Sequence, residues 1–134
     1  MEIMKLEHIA IWVDDLEESK AFYIKYFDMV SNEKYESSRH PFSSYFLTFQ
    51  QEDSARIELM QRPDVQINQS KERGMLQGYA HIAISVGSKE KVDLLTEQIR
   101  SDGHTVIGEP RTTGDGYYES IVEDIEGNWI EITI

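Results

Sequence analysis

Twice along this chain, in the same order, the spacing of apolar residues changes from a strand period to a helix period. In HIAIWVDDLEESKAFYIKYFDMV, which begins at His8, the apolar residues Ile9, Ile11 and Val13 alternate, and Leu16, Tyr23, Tyr26 and Phe27 then recur at helical spacing. Asp14 or Asp15 is placed to cap that helix, with Glu18 three residues after Asp15 as in a capping box. HIAISVGSKEKVDLLTEQIRSDGHTVIGE, which begins at His81, repeats the order: a strand, Ser88 as cap, Val92, Leu95 and Ile99 on one helix face, and Gly103 as the stop. Three strand-like runs follow each helix, MVSNEKYES, SYFLTFQ and ARIELM in the first half and TVIGE, YYESIVED and NWIEITI in the second. The pattern predicts an α+β fold of paired βαβββ modules within one domain, about 1–62 and about 79–134, joined by a polar, aperiodic linker over about 63–78.

The repeat has a register. His8 and His81 lie 73 residues apart, and the same offset sets YFLTFQQEDSARIEL on YESIVEDIEGNWIEI without a gap, placing Glu58 over Glu131. Each histidine precedes its glutamate by 50 residues. Strand alternation puts His8, Ala10 and Trp12 opposite Ile9, Ile11 and Val13, and Arg56, Glu58 and Met60 opposite Ile57 and Leu59. In the second half His81, Ala83, Ser85, Trp129, Glu131 and Thr133 oppose Ile82, Ile84, Ile130 and Ile132. The apolar faces are expected to pack on the helices, so both His–Glu sets fall on the faces turned away from them, the concave side if the sheets curl. The aromatic group Phe22, Tyr23, Tyr26 and Phe27 reads as core, and VEDIEGN as a strand running into a turn with Glu123 and Asp124 exposed.

Composition narrows the chemistry. The 134 residues are 40% apolar and 28% charged, the range of a globular domain. There is no cysteine, which excludes thiol nucleophiles, thiolate metal sites and disulfides. The net charge of −12 weighs against nucleic acid or an acidic membrane surface as partner, because affinity for either comes from Lys and Arg. No stretch reaches membrane-spanning length, and MEIMKLEHIA leaves no room for a leader before the first strand, so a cytoplasmic location is expected.

A lone His or Glu on an open strand face is ordinarily just solvated. Here two of each recur at one interval, which supplies two imidazole nitrogens and two carboxylates at corresponding places of a duplicated unit. Imidazole suits Zn, Ni, Co, Fe and Cu, carboxylate oxygens take harder divalent ions, and a mixed set leaves positions for water or substrate.

At these residues the chain resembles the vicinal oxygen chelate superfamily, built from paired βαβββ modules, and within it glyoxalase I (lactoylglutathione lyase). HIAIWVDDLEESKAFYIKYFDMV resembles the opening histidine strand and helix, ARIEL the first glutamate strand, GYAHIAISV the second histidine strand and VEDIEGNWIEI the closing glutamate segment, without its usual proline. The ligand order His, Glu, His, Glu is the specific part. Extradiol dioxygenases of the superfamily differ at the place of Glu58, and its bleomycin-binding members lack the set. The resemblance implies a curved mixed sheet around a metal-containing cavity, His8, Glu58, His81 and Glu131 as ligands of one divalent ion (Ni, Co or Zn) per site, and a homodimer. It implies an α-hydroxycarbonyl thiol adduct as substrate and isomerisation through an enediolate, with Glu131 as first choice of base and Glu58 as second. Two alternatives stand beside this, another metalloenzyme on the same scaffold (an epimerase or thiol transferase) and a non-catalytic small-molecule-binding resistance protein.

Some positions depart from the pattern. Trp12 stands where such glyoxalases carry an arginine for a glutathione carboxylate, and Arg62 where they carry an asparagine. Trp12 and Trp129, on the predicted concave faces, are candidates for an apolar substrate wall, and Arg111, in the loop EPRTTGDGYYES with Gly114 and Gly116, for a substrate clamp. Arg39 and His40 are further rim candidates, and His104 after Gly103 reads as structural.

Overall fold

Both predicted caps form. Asp15 takes extended backbone angles ahead of helix α1 (Leu16–Phe27), and its side chain accepts the Glu18 N–H at 3.1 Å. Ser88 does the same for α2 (Lys89–Ser101), accepting the Lys91 N–H at 3.1 Å. The computed structural model describes residues 2–134. The chain divides into two units, one ending at Asn68 and the other spanning Gln69–Ile134, and among the described residues no helix is long and apolar enough to cross a membrane.

In the first unit the strands are β1 (His8–Trp12), β2 (Val30–Ser31), β3 (Tyr35–Glu36), β4 (Ser43–Thr48) and β5 (Arg56–Gln61). They form one sheet in the order β1-β5-β4-β2, with β3 also on β4; β1 runs parallel to β5 and the other pairings are antiparallel. In the second unit β6 (Ile82–Ser85), β7 (Val106–Thr112), β8 (Tyr118–Glu123) and β9 (Trp129–Thr133) order as β6-β9-β8-β7, with β6 parallel to β9. The fold is α+β with mixed sheets, one per unit. Each helix packs its apolar face on the inner face of its own sheet. Phe22, Tyr23, Tyr26 and Phe27 are buried with Leu47, Ile57 and Leu59 in the first unit, and Val92, Leu95 and Ile99 with Val122, Ile130 and Ile132 in the second. A buried polar contact crosses the second interface: Thr96 Oγ1 donates to the Val92 carbonyl and receives the Ser120 hydroxyl at 2.6 Å.

Four local expectations are corrected. The run 29–37 is two short strands, because the Asn32 carboxamide, in place of a backbone carbonyl, takes the Phe46 N–H at 2.8 Å. The halves do not align without a gap. Phe46 sits opposite Glu58, whereas Ile121 sits opposite Glu131, so β4 corresponds to β8 at an offset of 75 while the histidine and glutamate strands correspond at 73. The extra length lies in the turn, residues 49–55 against 124–128. The shorter turn also explains why Asp124 is buried and not exposed: its carboxylate accepts the Glu126 and Asn128 N–H groups, both at 2.9 Å, and Gly127 takes φ 87°. Arg111 belongs to strand β7, not to a loop, since it pairs with Glu119; Pro110 beside it is tolerated because β7 is an edge strand.

The linker contains a one-turn 3-10 helix, Arg73–Met75, that alternation does not announce. Gly74 lies against the Trp129 indole so closely that a Cβ there would overlap the ring.

Leu59 is fully buried. Leu59→Ala is expected to lower the unfolding free energy by about 2–5 kcal/mol, and Ser88→Ala by about 0.5–2 kcal/mol, both read by chemical denaturation. A loss below about 1 kcal/mol for Leu59→Ala would show that the β5 face is not the packed one.

Candidate metal centre

Parallel pairing brings each histidine to its glutamate. Ala10 is opposite Glu58 across β1 and β5, and His8, two residues before Ala10 on the same face, stands diagonal to that carboxylate. His8 Nε2 lies 3.5 Å from Glu58 Oε1. In the second unit Ala83 is opposite Glu131 and His81 is two residues before Ala83; His81 Nε2 lies 3.2 Å from Glu131 Oε2. The two pairs match in exposure as well, 16% and 18% for the glutamate side chains and 35% for each imidazole. Among the described residues no group of three or more His, Asp or Glu side chains is placed to hold a metal ion, so the four predicted ligands stand as two separate His–Glu pairs, two candidates in each unit.

The surroundings orient the first pair. His8 Nδ1 is 3.3 Å from Glu7 Oε1, and its ring stands edge-on to Phe46 at 5.2 Å. Glu7 is held in turn by Arg56, whose Nε donates to it at 2.9 Å; this bond is the main reason its carboxyl lies below the ordinary range. The Arg56 guanidinium also stacks over Phe46, 4.1 Å from the ring centre. With the His8 proton on Nδ1 toward Glu7, the tautomer this contact favours, the Nε2 lone pair faces a carboxylate oxygen. That separation is met by a proton on Nε2, as an ion pair with the carboxylate, or by a cation held between the two atoms. The donor set suits a divalent ion, because two ligand atoms in adjacent coordination positions with bonds of ~2.1 Å sit ~3 Å apart.

The second pair has a neighbour that the sequence reading passed over. Glu119 on β8 shares the Glu131 face, one diagonal step from it, and is 7% exposed. Its Oε2 has no hydrogen-bond donor. A hydrogen bond shared with the Glu131 carboxyl first, and burial second, push Glu119 up to about 7, while the nearby Arg111 charge works in the opposite direction. The signal was present in YYESIVED, whose alternation sends Glu119, Ile121 and Glu123 to one face and Ser120 and Val122 to the other.

The remaining candidates have diverse surroundings. Trp12 is exposed and edge-on to Phe42 at 6.1 Å. Trp129 is half-buried against Gly74, and its Nε1 has no acceptor. Arg62 is engaged by Asp64 through two bonds, at 2.5 and 2.9 Å. Arg111 Nη1 donates to the Glu119 carbonyl at 3.1 Å. His40 lies near Phe42.

Glu119 gives a pH dependence whose sign is fixed. Its folded pKa of about 7 exceeds the ordinary 4.5, so between those values the folded protein keeps a proton that the unfolded chain releases. Stability therefore falls as pH rises through that window. The Tm of the metal-free protein is expected to drop between about pH 5 and about pH 7.5 more steeply than that of Glu119→Gln; equal slopes would contradict the buried carboxyl pair.

Comparison with known proteins bears on this geometry. Residues 5–132 match the model of the Glyoxalase/Bleomycin resistance protein/Dioxygenase superfamily. The uncharacterized protein YwkD of Bacillus subtilis (strain 168) is 36% identical over 110 residues, covering 76% of this chain and 82% of that one. Among solved structures, a trypanothione-dependent glyoxalase I of Leishmania major superposes with a TM-score of 0.77 at 25% identity, over 98% of this chain and 86% of the other. A glyoxalase family protein of Bacillus cereus superposes with a TM-score of 0.83 at 14% identity, over 99% and 95%. With the family model spanning nearly its whole length, the chain belongs to the Glyoxalase/Bleomycin resistance protein/Dioxygenase superfamily.

Proposed function

We propose that this protein is a divalent-metal-dependent lyase or isomerase of the glyoxalase I type, acting on an α-hydroxycarbonyl thiol adduct. The observation that carries the reading is the matched geometry of the two His–Glu pairs, 3.5 and 3.2 Å at equivalent strand positions. Together they make a two-imidazole, two-carboxylate set in which His8, Glu58, His81 and Glu131 hold one Ni, Co or Zn ion. When bound, that ion supplies Lewis acidity to vicinal oxygens of the substrate.

The chain's own groups move the proton. Glu131 is the base that takes it from the substrate carbon and returns it to the neighbouring carbon. It is preferred to Glu58 because a second carboxyl, Glu119, lies against it, whereas Glu58 faces the Phe46 ring. His8, oriented by Glu7, and His81 act as neutral ligands, so protons compete with the metal and its affinity falls with acidity.

The homodimer is part of the proposal. Ile3, Met4 and Leu6 ahead of β1 in the first unit, and separately Met75, Leu76 and Tyr79 ahead of β6 in the second, leave large apolar side chains bare at the approach to each histidine strand, which suits contact with a second copy. A cytoplasmic location fits the acidic, cysteine-free composition. One observation favours a thiol other than glutathione, or a related epimerase or thiol transferase: the position expected to hold a glutathione carboxylate is Trp12, and Arg62 is already engaged by Asp64.

The Ni-, Co- or Zn-loaded protein is expected to isomerise the methylglyoxal–glutathione adduct or the adduct of another small thiol. Glu131→Gln should lower kcat by about 100-fold or more while the variant keeps its fold by circular dichroism. An unchanged rate would remove Glu131 as base, and no turnover of any thiol adduct by the loaded protein would contradict the glyoxalase reading. Sedimentation should give about twice the 15.6 kDa chain mass; a monomer would refute the dimer.

A further inference from the structure

Next to the His8–Glu58 pair, the open face of the first sheet carries a group of rings that core packing does not use. Directly paired residues share a face of a sheet, so Trp12 on β1, Met60 on β5, Ser44 on β4 and Tyr35 on β3 form one row. Met60 lies two residues after Glu58, which puts this row on the Glu58 face, about 7 Å along the strand from that carboxylate's own row. Phe42, just ahead of β4, ties the two ends together. Its ring centre is 6.1 Å from that of Trp12, with the planes at 86°, and 6.1 Å from that of Tyr35, with the planes at 61°. His40 borders the group, 6.2 Å from Phe42.

Exposure separates these rings from the aromatic residues of α1. Phe22, Tyr23, Tyr26 and Phe27 are buried, whereas Trp12 and Tyr35 are 43% and 55% exposed. Contact with Phe42 holds both exposed rings in place, so a group laid on them meets little further loss of side-chain freedom. Ser44 between them is small and buried, and Met60 is half-buried, so the surface of the row is mainly aromatic.

The charges at its border decide what this surface accepts. Arg56, opposite His8, is held by Glu7 and stacked on Phe46. Arg62, just past the end of β5, is held by Asp64 through two bonds. Each of these cations is matched by a carboxylate, and each carboxylate by a cation, so neither an anionic nor a cationic arm finds a spare counter-charge here. Among the described residues no lysine or arginine stacks on Trp12, Phe42 or Tyr35, as they do on Tyr26, Tyr45, Phe46 and Tyr118. The exposed ring surfaces are left to an uncharged group.

We propose that Trp12, Phe42 and Tyr35 form a subsite for an uncharged aryl arm of the substrate. This rests on the metal reading above and names the kind of substrate: an adduct that carries an aryl group beside its vicinal oxygens. Trp12, which shares strand and face with His8, is the specificity-determining residue.

The test uses hydroxamates, which chelate metal through two oxygens, titrated calorimetrically into Ni- or Zn-loaded protein. Acetohydroxamate, without an arm, reports the metal alone. Hydrocinnamohydroxamate, hexanohydroxamate, succinic monohydroxamate and β-alanine hydroxamate add an aryl, an alkyl, a carboxylate and an amine arm. The aryl arm is expected to bind at least about tenfold more tightly than the carboxylate and amine arms, and about threefold more tightly than the alkyl arm. Trp12→Ala should weaken the aryl arm by about tenfold while acetohydroxamate stays within about threefold, and Tyr35→Ala should weaken it by a smaller factor. Equal binding of the four arms, a preference for the carboxylate arm, which would assign the row to Arg39, a preference for the amine arm, or an unchanged ranking in both variants would overturn the inference while leaving the metal reading intact. So would a Trp12→Ala variant that keeps the ranking but halves the sedimenting mass, which would give the row to a second copy of the chain. A loaded protein that binds no hydroxamate at all, acetohydroxamate included, would sink both together.

Discussion

Everything proposed for the site depends on a backbone constraint, the parallel pairing of the first strand of each unit with its last. A parallel pair needs a long crossover, and each unit supplies one by running through a capped helix and an antiparallel excursion before β5 or β9 returns beside β1 or β6. Those pairings place Ala10 opposite Glu58 and Ala83 opposite Glu131. A small residue opposite each carboxylate leaves room for the imidazole two residues earlier to reach it diagonally. The inner faces of the same strands, Leu59 and Ile57 or Ile130 and Ile132, are sealed against α1 and α2, so the register cannot slip by one without burying the His and Glu and exposing the core. Core packing and ligand geometry are thus two faces of one strand pair.

Duplication with divergence accounts for the rest. Histidine, glutamate and helix recur in both units, and the side chains around them differ. Beside the first pair stands Glu7, held by Arg56, with Phe46 as a wall. Beside the second stand a buried carboxyl, Glu119, and a half-buried indole, Trp129, under the linker turn at Gly74. The two His–Glu pairs are thus alike in geometry and unlike in their surroundings.

Much of this was legible in the chain because alternation and helical spacing report burial directly. Ile57 and Leu59 point inward and Glu58 outward, and a capped helix follows each histidine strand. What escaped has definite causes. The halves differ by two residues in one turn, and a shift of two leaves every side chain on its original face, so the pattern gives no warning that Ile121, not Glu119, is opposite Glu131. Asp124 looked like a solvated acid because its burial depends on backbone donors that the turn itself creates. The break between β2 and β3 depends on one carboxamide, Asn32, replacing a backbone acceptor. The importance of Glu119 arises from proximity to Glu131 across β8 and β9, a relation between strands and not along one.

The proposed function requires the two His–Glu pairs to serve one ion together. Metal content measured by mass spectrometry after Zn or Ni loading, for the wild-type chain and for His8→Ala and His81→Ala separately, tests this most directly. One ion per ligand set in the wild type, lost in full in either variant, is the predicted result. Retention of half the metal in each variant would mean two independent pairs, and retention of all of it in either would exclude that histidine from the site.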